Sequence, residues 1–187
     1  MRYAAILLIV GLVACSGQPV ETNYYLLGKD HAPESRELKG SRDFALGSVA
    51  IAAYIDQPGM MLEVGNGQIR PAMHHQWAEP MSQSVRMFLQ REISQHLGED
   101  LFPATISNAE TVVEIRLDQL HGTADGQAVI FAYWYLRKDG EVIAPHQFGK
   151  TVDLTSDGYA ALARAEQSLL AGLAKDIADA LLAMRQE

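Results

Sequence analysis

Val112-Val113-Glu114-Ile115-Arg116-Leu117-Asp118-Gln119-Leu120 alternates apolar and polar side chains along nearly its whole length. Successive side chains of an extended chain point to opposite faces, so this period of two predicts a strand with one buried and one polar face. Beyond it, Ala128-Val129-Ile130-Phe131-Ala132-Tyr133-Trp134-Tyr135-Leu136 is apolar and aromatic throughout, as a central strand covered on both faces would be. Lys138-Asp139-Gly140-Glu141 then reads as a turn, and 146–154 as a last strand. Upstream the period changes. Met81, Val85, Phe88, Leu89, Ile93 and Leu97 recur at helical spacing, with Pro80 at the start and Gly98 where a C-cap glycine belongs. Leu162, Leu169, Leu170, Leu173, Ile177, Leu181 and Met184 predict a second amphipathic helix at the C-terminal end. Gly172 weakens that helix by about 1 kcal/mol relative to alanine, which packing of its apolar face should outweigh.

Towards the N-terminus, Thr22-Asn23-Tyr24-Tyr25-Leu26-Leu27 is aromatic and β-prone, and 28–42 is a charged loop broken by Pro33 and Gly40. Leu46, Val49 and Ile51 mark a strand over 44–53, and Asp56-Gln57-Pro58-Gly59 a turn. Met60 to Val64, Gly65-Asn66-Gly67, and Gln68 to Arg70 form a β-hairpin, because Asn-Gly supplies the positive φ angles of a tight turn. Strands on both sides of one helix, with a second helix at the end, predict a mixed sheet with helices packed on it. No internal repeat interrupts this single-domain organisation, and one domain suits a chain of 187 residues.

The chain carries a formal charge of −8, which excludes nucleic acid as an expected partner, since that binding rests on Lys and Arg meeting phosphates. The same charge gives no electrostatic hold on anionic headgroups. The first residues read as an export signal: Arg2 is a basic start, and Ala4 to Ala14 is an uncharged apolar stretch. That stretch falls short of the ~20 residues a membrane-spanning helix needs. Cys15 is the one cysteine in the sequence, so it has no intramolecular disulfide partner.

Leu12-Val13-Ala14-Cys15 resembles the lipobox of bacterial lipoproteins. The resemblance implies cleavage before Cys15, a diacylglycerol on its thiol and an N-acyl chain on the new amino terminus, with no other cofactor. More than one acyl chain gives stable anchoring. Residues 1–14 are then the signal peptide, 15–22 a lipidated tether and 23–187 the folded domain. Ser16 follows the cysteine where an aspartate would favour inner-membrane retention, so outer-membrane delivery is expected.

Three further stretches carry a second resemblance: Tyr24-Tyr25-Leu26-Leu27, Val49-Ala50-Ile51-Ala52-Ala53-Tyr54-Ile55-Asp56-Gln57-Pro58 with Met60-Met61, and Trp77-Ala78-Glu79-Pro80-Met81. In order and spacing they are similar to the PqiC-like family of ABC-type transport auxiliary lipoproteins, across nearly all of the mature chain. The family commonly has Arg-Pro where this chain has Gln57-Pro58, so no role of that arginine carries over. The resemblance implies a three-layer α/β/α fold around a mixed, mostly parallel sheet of about five strands, with two main amphipathic helices. It implies a non-catalytic outer-membrane component that docks a periplasmic MCE-domain tube and, through it, an inner-membrane permease and its ABC components. Such a component would move lipid or another hydrophobic solute, support membrane integrity and form a homo-oligomeric ring. Tyr24, Tyr25, Tyr54, Trp77 and Pro80 are the candidate partner or assembly surface. Trp77 beside Pro80 reads equally as a packing residue at the helix start. A stand-alone lipid-binding lipoprotein, acting as shuttle or sensor, is the alternative.

Catalytic readings find little footing. Gly65-Asn66-Gly67 has Arg70 in the third glycine's place of a dinucleotide loop, and the chain has no Walker A, H-E-x-x-H or G-x-S-x-G motif. His74-His75 is expected in a polar loop near Trp77, not at a metal. Asp56, Glu63 and Glu79 read as surface acids. Phe131, Tyr133, Trp134 and Tyr135 suit either a lipid pocket or a core, and core is favoured because a central strand is buried on both faces.

Overall fold

The computed structural model describes residues 20–28 and 37–186; the signal peptide, Cys15 and Ser16 lie outside them. Seven strands and two helices follow in the order β1 (Asn23–Tyr25), β2 (Phe44–Ile51), β3 (Gly59–Glu63), β4 (Ile69–Trp77), α1 (Met81–Leu97), β5 (Thr111–Thr123), β6 (Gln127–Lys138), β7 (Glu141–Asp153) and α2 (Tyr159–Met184). The sheet runs β1-β4-β3-β5-β6-β7, and β2 also pairs with β5. Along β5, β2 takes the first half (Phe44 opposite Thr111 to Ile51 opposite Leu117) and β3 the end (Leu62 opposite Gly122).

The sheet is mixed, as expected, but among the described residues it has seven strands and not about five. Nor is it mostly parallel. Pairs β1–β4, β2–β5 and β3–β5 are parallel, while β3–β4, β5–β6 and β6–β7 are antiparallel. Two tight hairpins account for much of the antiparallel half. Asn66 and Gly67 take φ of 53° and 72°, and Asp139 and Gly140 take 51° and 83°, the left-handed pairs whose twist matches that of flanking strands.

Burial along β6 corrects a second expectation. Ala128, Ile130, Ala132, Trp134 and Leu136 are buried, while Phe131, Tyr133 and Tyr135 alternate with them and are only partly covered. Beside them Val113, Ile115 and Leu117 of β5 are buried, and Glu114 and Arg116 face the other way. Both helices pack against one another, and α2 also packs against β5, β6 and β7. Among the described residues the domain therefore has two layers, helices on one sheet face, rather than three. Only Trp134 of the aromatic run is core. Its ring stacks on His146 at 3.7 Å and its Nε1 donates to Asp176 of α2 (3.2 Å). On the other face the Arg116 guanidinium lies over the Tyr133 ring (4.8 Å) and is held by both Asp118 oxygens.

The helices form as the apolar spacing dictates. The Pro80 carbonyl accepts from the Gln83 and Ser84 amides, and Gly98 ends α1 at φ 71°. The α2 stripe buries Leu162, Leu169, Leu170, Leu173, Ile177 and Leu181. At its C-terminal end Arg185 ties the helix to the rest of the fold through Asp43 (2.9 Å) and Glu99 (2.6 Å).

Candidate functional site

The three stretches singled out above are far apart in sequence and meet at one end of the sheet. Short β1 lies parallel to β4 with Tyr25 opposite Trp77, and the Ala78 amide donates to the Tyr25 carbonyl (2.8 Å). The loop after β2 approaches from the other side, where the Trp77 amide donates to the Pro58 carbonyl (2.8 Å). Asp56 completes the junction: its Oδ1 accepts from the Ser82 amide (2.9 Å), capping α1 from a distant loop. Glu79 accepts from the Ser84 hydroxyl (3.1 Å). Both acids are thus engaged with the start of α1. Asp56, Gln57, Pro58, Trp77, Ala78, Glu79 and Pro80 line a cleft of about 340 Å³ at this junction. Gly59, next to it, is buried against β4, and a Cβ there would stand 2.6 Å from the Ala72 carbonyl oxygen. Only glycine fits so close an approach.

His74 and His75 lie on β4 rather than in a loop, because β3 and β1 pair with that strand on either side and keep it extended. The two rings accordingly face opposite ways. His75 shares its face with Trp77 and is clamped between two tyrosines. The Tyr25 hydroxyl bonds its Nδ1 (2.9 Å), and Tyr159, the first residue of α2, stacks on it at 4.3 Å. Tyr25 also meets Trp77 edge-on.

Tyr54 belongs to a neighbouring network. Its hydroxyl accepts from the Leu120 amide (3.1 Å) and bonds His121 Nδ1 (3.0 Å), and His121 Nε2 lies 3.7 Å from Glu63. Burial pushes the Tyr54 phenol up from its ordinary pKa, against the Leu120 N–H, which favours phenolate. Burial also lowers the His121 pKa, opposed by the Glu63 carboxylate. His121 therefore sits neutral at neutral pH.

Of the five surface candidates, Tyr25 and Trp77 come together, and Pro80 rims the cleft. Tyr24 points outward with 65% of its surface exposed. Tyr54 is half-buried against His121, and Trp77 is core at 7% exposure while its edge lines the cleft. Sequence reading placed His75 in a loop and not on β4, and it gave no role to His121 or Tyr159, which no local pattern marks. It also passed over Glu166, which a helical count would have flagged. Seven residues before Leu173, it falls on the same apolar stripe and is fully buried.

The family model of the ABC-type transport auxiliary lipoprotein component matches residues 24–178. The chain belongs to this family. The match opens at Tyr24 of β1 and runs into α2, so it takes in all three converging stretches. Among auxiliary-lipoprotein relatives, the intermembrane transport lipoprotein PqiC of Escherichia coli (strain K12) is 24% identical over 150 residues, covering 79% of this chain and 80% of its own. PqiC of Shigella flexneri matches to the same extent. A crystal structure of an uncharacterized protein superposes with a TM-score of 0.73 at 23% identity, over 86% of this chain and 99% of the other. A Xanthomonas campestris protein does so with 0.65 at 17% identity, over 83% and 92%. These two establish a shared fold.

The cap from Asp56 is directly testable. Asp56→Ala is expected to destabilise the domain by about 1 kcal/mol, the ordinary cost of a lost N-cap, measured by urea denaturation. A midpoint equal to that of the parent chain would mean the contact with Ser82 contributes nothing.

Proposed function

We propose that this chain is the non-enzymatic outer-membrane lipoprotein subunit of an intermembrane lipid transport system, docking a periplasmic MCE-domain tube to the outer membrane. The observation that carries the reading is where the three stretches converge. They meet around β1, the first strand after the tether, and residues 16–22 span at most about 25 Å even when fully extended. A lipid on Cys15 would hold that end of the sheet close to the bilayer, with the Asp56–Pro80 cleft beside it. Membership of the auxiliary-lipoprotein family supports a role within a multi-component transporter. The placement of Phe131, Tyr133 and Tyr135 on an open sheet face, with Trp134 in the core, favours docking over a shuttle with its own aromatic cavity.

The anchor is tested by Cys15→Ala. Palmitate labelling is expected to vanish, and the protein to leave the membrane fraction or remain an uncleaved precursor; continued labelling of the variant removes the lipobox reading. Docking is tested by mild detergent solubilisation followed by affinity purification. An MCE-domain protein should co-purify with the parent chain, and no complex at matched expression would overturn the proposal.

A further inference from the structure

Glu166 stands alone on the apolar stripe of α2. Its carboxyl is fully buried, and Oε1 has no hydrogen-bond partner. The elements around it offer little compensation. The buried face of α1 is apolar except for Ser84, and that of β6 carries no ionisable side chain. β5 contributes neutral His121, with Asp118 on the same strand and Glu63 at the end of β3 beyond it, and the loop after β2 contributes Tyr54, the titratable group that senses the Glu166 charge. On β7, His146 is stacked on Trp134, and Lys150 is exposed. On α2 itself Arg164, Lys175, Asp176 and Asp179 are exposed, and His75 meets the helix through Tyr159. An uncompensated buried carboxyl holds its proton, and burial pushes Glu166 up to about 8.

The two halves of α2 are fastened differently. The C-terminal half is pinned by Asp176 to Trp134 and followed by Arg185 with its acidic partners. The N-terminal half starts after Gly158, where no side chain caps the helix, and Gly172 lies at the junction. This half holds the β1 segment directly at one point, where the Gln167 side chain accepts from the Gly28 amide (3.1 Å). It also holds it indirectly through Tyr159, which stacks on the β4 residue His75 that the Tyr25 hydroxyl bonds; Phe88 and Arg91 of α1 also lie against Gly28. Glu166 immediately precedes Gln167 on the helix.

We propose that the N-terminal half of α2 is a proton-controlled latch on the segment leading to the anchor, closed over β1 while Glu166 is protonated and lifting when it ionises. The inference is independent of the docking reading and rests on the lipid-anchor reading only for what the segment leads to. Its sign follows from linkage. A carboxyl whose pKa is raised in the closed state favours closure at low pH. That contribution is lost as pH rises from the ordinary 4.5 towards about 8, and the loss levels off above. His121, with its lowered pKa, acts in the opposite sense, so the Glu166 variants isolate the acid.

The test is hydrogen–deuterium exchange of the purified full-length protein at pH 5.5 and 7.5, corrected for intrinsic exchange. Residues 160–168 and 23–28 are expected to open together, more readily than β5 and β6. Their opening constant should rise about tenfold per pH unit. Glu166→Gln and Glu166→Met should abolish that slope. Tyr159→Ala should raise the opening of 23–28 at both pH values and leave the helix slope intact. The proposal is overturned if the helix exchanges only with β5 and β6, if 23–28 does not follow the helix, or if the Glu166 variants keep the slope. Should neither Glu166 variant fold, the parent protein's two segments at two pH values already decide.

Discussion

Leu173→Asp is expected to leave the domain unfolded at 37 °C. Leu173 is wholly buried in the main hydrophobic cluster, on the stripe that α2 turns to the sheet and to α1. Removing a leucine side chain from such a site typically costs 2–5 kcal/mol through lost burial and the remaining cavity. An aspartate adds a carboxyl without a partner, at a further cost of several kcal/mol whether it ionises or takes up a proton. Together these rival the whole stability of a domain, about 5–15 kcal/mol. Leu173→Ala, carrying the cavity alone, should still fold with a lowered melting temperature. Circular dichroism melts of both variants check the claim. An aspartate variant that melts like the parent would show that this face of α2 is not the buried one.

That face was legible in the sequence because a helix of this length repeats its apolar spacing many times. β5 was legible for the same reason at period two. β6 was misread in a physically instructive way. Phe131, Tyr133 and Tyr135 are apolar enough to suggest a second covering layer, but their rings lie on the open face, where Phe131 packs edge-on against Tyr133 and Arg116 covers it. An aromatic ring serves as partial cover for charged neighbours, and hydropathy does not separate that use from burial. β7 is longer than read, since its first three residues (Glu141 to Ile143) are exposed and Pro145 interrupts the pattern. Parallel pairing of β1 with β4 and of β2 with β5 joins distant segments and leaves no local trace. The site divides likewise. Its stretches were visible one by one, whereas their meeting depends on Asp56 reaching Ser82 and Tyr25 lying opposite Trp77.

Glu166→Leu should make the protein more stable, which is unusual for a substitution in a core. In the unfolded chain Glu166 ionises near 4.5, whereas burial in the fold raises it to about 8. At pH 7 folding must therefore bind a proton against the solution, a cost of about 3 kcal/mol at 1.36 kcal/mol per unit. Leucine removes that cost and the orphaned Oε1, and adds apolar burial on a stripe already made of leucines. The melting temperature should rise by roughly 6–12 °C at pH 7, given 2–4 °C per kcal/mol for domains of this size. The comparison across pH is more decisive than the rise itself. The gap between variant and parent should widen from pH 5 to pH 8 and then stay constant, because the parent loses stability as Glu166 is forced to ionise. A variant that melts below the parent by the same margin at every pH would mean the carboxyl fits its site and holds no raised affinity for a proton. A widening gap would show that the native chain keeps an acid here at the expense of stability, as sites selected for movement do. The latch over β1 supplies a physical reason for keeping it.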